Sequence, residues 1–492
     1  MFDFIIGFLI TISLLLMIFI CIVIVRAVLF VPGNKVSSKM NHKEQCDVHS
    51  MILLNKEKII DDMSAMLKCK TVSYRDESLM DMKEFTKFQT LLQERFPEIH
   101  KKAKLVKIGK TGLLYHIKGK MSDAPTVCMS HYDVVPADET QWEKPAFEGI
   151  TEKDEIWGRG AIDTKSTLCG VTEALEIMLK NGYVPSNDLY LSFSGEEEID
   201  GSSCPEIVAY LEKAGVKPAF VLDEGGAIVD HVFPGVSKEC AIIGTGEKGS
   251  VNYELEVMSG GGHSSIPPKH TAAGEISRAV CRIENKPFKR QLTKPVLEMF
   301  DTLGRHSTFA YKIIFANLWC FAPLLDILAR KSGGELNSML RTTAAVTKLE
   351  GSNAYNVLPP KASCGINVRL MGKDTVDSAL NHFNKVVKNS KIKAKVISGT
   401  NPSIYSETNC KQWEMLEEVI KETWQDVIVT PYMMPARSDS GHYCKISNYV
   451  YRFSAMKLSP KERAMTHGHN ERISTDNLLK VVEFYIRLLE RV

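Results

Sequence analysis

Apolar and polar positions alternate in two registers along the chain. Between residues 51 and 245, short apolar runs such as Thr126–Met129, Leu189–Ser194 and Ala219–Leu222 read as buried strands, and stretches with helical spacing such as Ser166–Lys180 lie between them. Alternation of this kind predicts an α/β domain with a central mixed sheet flanked by helices. A final amphipathic helix is expected near Thr475–Leu489. The N-terminus follows neither register. Phe4–Val25 are 22 residues without a charge. At about 1.5 Å per residue they cross a hydrocarbon core of roughly 30 Å, which predicts a single transmembrane helix. A cleaved signal peptide is the rival reading. Against it stand the length of the apolar run, Asp3 in place of a basic residue before it, and the lack of an A-x-A site after it.

Composition adds little that is specific. With 61 basic and 59 acidic residues the net charge is +2, which gives no reason to invoke nucleic acid, and 492 residues suffice for at least two cores. The 12 cysteines are scattered without C-x-x-C pairs, so no disulfide framework is legible. Arg26, Lys35, Lys39 and Lys43 follow the span and no basic residue precedes it, which favours a cytosolic catalytic domain. The only N-x-[ST] acceptor, Asn401, is blocked by proline.

The chemistry is concentrated where predicted strands end. His131 leaves the run Thr126–Met129, and Asp133 can reach its imidazole and fix its tautomer while the other ring nitrogen binds a metal. Asp163 sits before a helix, where a plain N-cap is the commoner use and bridging two cations is the alternative. Glu196, Glu197 and Glu198 are consecutive carboxylates that repel one another unless solvent or cations compensate them. Asp223 and Glu224 follow another apolar run, and His467 and His469 stand in a polar loop. Each stretch alone has a bland reading as a solvated turn. Five together supply the hard oxygen and imidazole donors that a catalytic zinc site requires.

The motifs HYDVVP, GRGAIDTK, EEEIDG, DEGG, GHSS and THGHNE form an ordered set spanning about residue 50 to the C-terminus. This set resembles the di-zinc metallopeptidase family that includes carboxypeptidase S, aminoacylase, glutamate carboxypeptidase and N-fatty-acyl-amino-acid synthase/hydrolases. The resemblance implies two zinc ions per subunit bridged by Asp163. It further implies that His131 and Asp223 complete one site, that Glu198 and His467 complete the other, and that Glu197 is the general base, with Asp133 counted among the catalytic residues through its hold on the His131 ring. His469 is the alternative to His467 as a ligand, and Glu196 stands where relatives carry aspartate.

By the same resemblance, an α+β two-layer lid (dimerisation) domain interrupts the catalytic domain. The lid's His263 would stabilise the oxyanion, in dimeric members within the partner subunit's site, and Asn356 and Arg369 would bind substrate. The implied division is an anchor at 1–31, a tether at 32–50, the catalytic domain at 51–245 and 402–492, and the lid at 246–401. Residues 297–330, apolar and aromatic-rich, read as lid core, with an acyl-chain pocket or a membrane-resting surface as alternatives. One departure stands out: relatives carry T-D-S-R or T-D-A-R where this chain reads ARSDSGHY. Gly441 therefore replaces an arginine, with Arg437 or His442 as substitutes.

The expected activity is hydrolysis, or formation, of the amide bond of N-acyl amino acids or small peptides, with a carboxypeptidase of the same mechanism as the alternative. Relatives act in a lumen or outside the cell, opposite to the side that the flanking charges favour. An inactive, membrane-anchored binding protein would betray itself by a lost ligand or base, and none of the six expected positions is lost.

Overall fold

The computed structural model describes residues 2–33, 42–230, 233 and 235–492. Residues 34–41 of the expected tether lie outside the described residues, and from His42 the chain is helical to Leu67.

A mixed sheet of eight strands organises the molecule. In spatial order they are Lys104–Ile108, Gly112–Ile117, Asn187–Ser194, Met121–His131, Phe220–Val229, Val450–Leu458, Cys240–Glu247 and Ile428–Met434. Asn187–Ser194, Met121–His131, Phe220–Val229 and Val450–Leu458 run parallel, so the carboxyl ends of the first three open side by side. Alternate residues feed opposite faces. Cys128, Leu191 and Leu222 enter the larger core with helices Lys165–Lys180 and Thr475–Leu489, whereas Val127, Tyr190 and Val221 meet Ile207, Val208 and Leu211 of helix Ser203–Lys213. Each such fully buried aliphatic side chain is worth roughly 1.5–3 kcal/mol relative to exposure.

Helices Lys165–Lys180 and Thr475–Leu489 approach unusually closely. A Cβ on Gly170 would lie 2.3 Å from Val481 Cγ1, so only glycine fits between them. Beside this contact, strand Arg472–Ser474 pairs antiparallel with Glu155–Trp157, placing Arg472 opposite Trp157. The two contacts fasten the C-terminal segment against the loop that leads to Asp163.

A second sheet, in the order Thr343–Glu350, Lys361–Leu370, Gly249–Met258 and Ile392–Thr400, carries helices Ala272–Glu284 and Val376–Val387 over a separate core of Val251, Tyr253, Leu255, Ile276, Ile283 and Phe383. This is a two-layer α+β arrangement. Residues 297–330 do not join that core. Met299, Phe300, Leu303, Phe315 and Leu325 pack into the core of the large sheet, where helix Lys294–His306 covers the edge strand Ile428–Met434, every residue of which is buried. An apolar stripe records that a helix has a buried face, not which of two cores receives it.

Candidate metal centre

His131 is the last residue of its strand, Glu224 lies within Phe220–Val229, and Glu197 and Glu198 form a short turn three residues beyond Asn187–Ser194. Asp163 and His467 come from loops and complete the group. Asp163 Oδ1 is 3.0 Å from His131 Nε2, and Oδ2 is 3.1 Å from His467 Nε2. One carboxylate therefore faces two imidazoles, one on each oxygen. His131 Nε2 also lies 3.2 Å from Glu224 Oε1, and His467 Nε2 lies 3.0 Å from Glu198 Oε2. Glu197 closes the group on the His131 side: donor atoms of His131, Glu197 and Glu224 lie within 4.8 Å of one another, as do those of His131, Asp163 and Glu198.

Asp163 is not the helix cap. The N-cap of Lys165–Lys180 is Thr164, which makes no side-chain capping bond, leaving the Asp163 carboxylate for the histidines. Glu196, by contrast, accepts the N–H groups of Ser202 and Ser203 at the start of helix Ser203–Lys213, at 3.1 and 3.2 Å, and is a structural carboxylate. The Asp133 carboxylate accepts the N–H groups of Glu197 and Glu198 at 3.1 and 3.2 Å and the Ser73 hydroxyl at 2.7 Å. It shapes the glutamate turn. His131 Nδ1 faces the Asp133 carbonyl oxygen at 3.0 Å, closer than the carboxylate at 3.4 Å, so the imidazole is oriented chiefly by backbone.

Glu224 approaches His131 Nε2, and Asp223, expected there, also feels the His131 charge. Asp223 Oδ2 accepts the N–H of Ser440 at 3.0 Å. The pairing with Val450–Leu458 is broken at this point, Arg452 lying opposite Asp223 and Phe453 opposite Gly226, so the simple alternation of faces does not hold and Glu224 reaches His131 from the irregularity. Of the two C-terminal histidines, His467 reaches the cluster, in a left-handed backbone conformation with φ 58°. His469 is exposed, and its field acts on Asp138.

The cluster is acidic and, apart from the half-exposed His467, largely buried. Burial raises the pKa of Glu224 to about 8, with Asp163 adding to the rise and His131 opposing it. Burial also raises Glu197 well above the usual carboxylate range, against the pull of His131 and with the repulsion of Glu224, Asp439 and Glu198. Asp439 rises to about 7, again chiefly by burial. Hydrogen bonds to Asp163 and Glu198 push His467 up to about 10. For Asp163 burial works against the charge, yet the hydrogen bonds from His131 and His467 prevail and hold its carboxylate well below the usual range. Crowded carboxylates with so few compensating charges favour the binding of cations.

The remaining expected residues lie on the second sheet and its ribbon. His263 and Asn356 are neighbours on a two-stranded ribbon, both exposed. The Asn356 carbonyl accepts the Ser264 N–H at 3.1 Å, and His263 Nδ1 is 2.8 Å from the Ser265 hydroxyl. Among the described residues no hydrogen bond or ion pair links either one to the acidic cluster. Arg369 is partly buried on strand Lys361–Leu370. Burial lowers its pKa, and the charges of Asp200 and Arg437 act on it, Asp200 raising it and Arg437 lowering it. Arg437 pairs with Asp200 at 3.1 Å.

Gly441 has a local cause. A Cβ at this position would lie 2.7 Å from Glu247 Oε2, and Glu247 is held by the N–H of Ser438 at 2.9 Å, its hydroxyl at 2.8 Å and Arg452 Nε at 2.8 Å. A side chain at position 441 would therefore have to displace the Glu247 carboxylate, which is buried and paired with Arg452.

Glu471 was missed as a site residue. It lies in the same THGHNE motif as His467, and its carboxylate takes Arg159 and three backbone N–H groups of the Asp163 loop. A glutamate four residues after His467 in the same motif was the available signal.

The model of peptidase family M20/M25/M40 matches residues 127–491. The chain is 34% identical to a probable carboxypeptidase S-like protein of Dictyostelium discoideum over 86% of this chain and 82% of that one. It is 32% identical to an N-fatty-acyl-amino acid synthase/hydrolase of Xenopus tropicalis over 88% and 86%. The fold matches that of an M20 family metallo-carboxypeptidase from Sulfolobus solfataricus, with a TM-score of 0.65 at 19% identity over 88% of this chain and 98% of that one. With sequence, fold and the facing of Asp163 on two histidines in agreement, the chain belongs to peptidase family M20/M25/M40 and is a metallohydrolase of amide bonds.

Proposed function

We propose that this protein is a membrane-anchored dinuclear zinc amidohydrolase that cleaves, or in reverse forms, the amide bond of N-acyl amino acids. The observation that carries the reading is the Asp163 carboxylate with one oxygen on each of two histidines. His131 and Glu224 lie on one side of that bridge, Glu198 and His467 on the other. The donors fit a pair of cations. Glu198 Oε1 is buried without a hydrogen-bond partner, and nitrogen and carboxylate donors with no thiolate suit zinc. Ions held there supply an activated water and polarise the scissile carbonyl.

The chain's own residues do the rest. Glu197, desolvated and beside His131 and Glu224, takes the proton from the attacking water and delivers it to the leaving amine nitrogen. Asp133 holds the Glu197 and Glu198 N–H groups and so fixes both carboxylates. Arg437, paired with Asp200 and sharing its field with Arg369, is placed to receive the substrate's free carboxylate in the role that Gly441 does not fill. His263 and Asn356 stand clear of their own cluster, which supports their serving a partner subunit's site in a homodimer formed through the second sheet.

Helix Phe2–Leu29 is the anchor; apart from Val23 and Ala27 its side chains are exposed or half-exposed. The likeness to an N-fatty-acyl-amino acid synthase/hydrolase favours N-acyl substrates, and the likeness to a probable carboxypeptidase S-like protein favours peptides as the second reading. The deciding experiment assays the purified full chain, loaded with zinc, against N-acyl amino acids and dipeptides. Turnover of the former class supports the proposal, turnover of dipeptides alone supports the carboxypeptidase, and turnover of neither refutes both.

A further inference from the structure

We propose that helix Leu318–Ser332 lies in the surface of the bilayer that Phe2–Leu29 crosses, with lipid covering its outer face; the inference rests on reading Phe2–Leu29 as a span. The outer face is a continuous apolar stripe. Trp319, Pro323, Leu324, Ile327 and Leu328 recur at helical spacing and are all exposed, Trp319 at 61% and Ile327 at 62%. The opposite face, with Ala322, Leu325 and Ala329, is buried against the protein. The helix ends in Arg330 and Lys331, both exposed, where a headgroup layer would meet them.

What covers the stripe follows from its neighbour. Helix Phe309–Phe315 and helix Leu318–Ser332 are joined by a 105° bend, and the residues at the bend climb the anchor in step. Arg26 Nη2 donates to the Ala316 carbonyl at 2.9 Å, Asn317 Nδ2 donates to the Val23 carbonyl at 3.0 Å, and Trp319 stacks edge-on to Phe19 at 5.9 Å. Phe19 precedes Arg26, the first basic residue of the chain, by seven positions, which is about 10 Å of helix. Trp319 thus stands well inside the apolar part of the anchor, and the stripe that begins with it enters the same layer. Where the anchor leaves the membrane, Arg305 stacks on Phe30 at 4.6 Å and donates to the Val31 carbonyl at 3.0 Å, fixing the catalytic body at that depth. A helix with one apolar face, tied beside a span at this level, has the geometry of an interfacial helix.

The test uses the full chain in phosphatidylcholine vesicles that contain a phospholipid with a photoactivatable diazirine on its acyl chain, followed by peptide mapping of the adducts. The expected result is labelling both in 2–29 and in 318–332, with the exposed Tyr355, in the loop that follows strand Thr343–Glu350, unlabelled. Labelling of 2–29 without 318–332 overturns the inference and leaves the anchor standing. Labelling of neither overturns both. The double substitution Leu324→Lys with Leu328→Lys, at exposed positions, is expected to lower labelling of 318–332 several-fold while leaving 2–29 unchanged; undiminished labelling in that variant also overturns the inference.

Discussion

The carboxylate of Glu471 accepts the backbone N–H of Asp163 at 3.1 Å, so a residue four positions beyond His467 holds the loop whose carboxylate His467 meets. The same carboxylate takes Arg159 Nη1 at 2.7 Å and the N–H groups of Gly160 and Ile162 at 3.1 and 2.7 Å. Glu471→Ala leaves a buried guanidinium without its counter-charge, which costs about 3–5 kcal/mol. Urea unfolding of the variant should register this loss together with reduced metal content. Wild-type stability in the variant would show that this contact is not what holds the loop.

The roles of Glu224 and Asp223 are expected to be separable by substitution. Glu224→Ala removes a carboxylate 3.2 Å from His131 Nε2 and is expected to lower bound metal by one equivalent. Asp223→Asn keeps the acceptor for the Ser440 N–H and is expected to retain two. Elemental analysis of the two variants decides the assignment, and the opposite pattern would restore Asp223 as the ligand.

Glu197→Gln keeps the shape of the turn and the backbone bonds to Asp133 while removing the proton acceptor. Turnover should fall by about 10²–10⁴-fold with metal content unchanged. Equal turnover would exclude Glu197 as the base.

Chelated protein should lose stability as the pH rises. The Glu224 pKa is raised from 4.5 to about 8, so the folded state holds a proton that the unfolded chain releases earlier. Stability from this group is complete below 4.5 and is lost as the pH passes 8. His467, raised from 6.5 to about 10, acts in the same direction. Thermal melts in chelator across this range should therefore descend, and metal should restore most stability at the alkaline end. A flat profile in chelator would contradict the desolvated cluster.

If His263 serves a partner subunit, Glu197→Gln and His263→Ala chains complement each other. Random pairing gives half mixed dimers, each with one intact site, and so about a quarter of wild-type activity from two inactive variants. Co-expression with distinct tags followed by assay tests this. No recovery in isolated mixed dimers would place His263 in its own subunit's site or outside the reaction.

Much of this molecule was legible along the chain. The apolar runs that became Met121–His131, Asn187–Ser194 and Phe220–Val229, the helix at Lys165–Lys180 and the closing helix at Thr475–Leu489 were visible as periodicity, because each buries a face whose spacing the sequence records. The polar residues at strand ends stood out for the same reason, as breaks in those runs.

Three matters were not legible, and all concern which surfaces meet. Asp223 and Glu224 are consecutive carboxylates, and an irregularity in the pairing with Val450–Leu458, which no local pattern records, brings Glu224 to His131. Residues 297–330 record one buried stripe without naming the core that takes it. His467 reaches Asp163 because Arg472–Ser474 pairs with Glu155–Trp157 and Gly170 admits Val481, contacts between segments some three hundred positions apart. Sequence alone determined the donors and the elements that carry them, since local periodicity and residue chemistry are properties of short stretches. Tertiary structure alone decided which donors meet in one cluster, since burial is paid for by whichever distant surface fits.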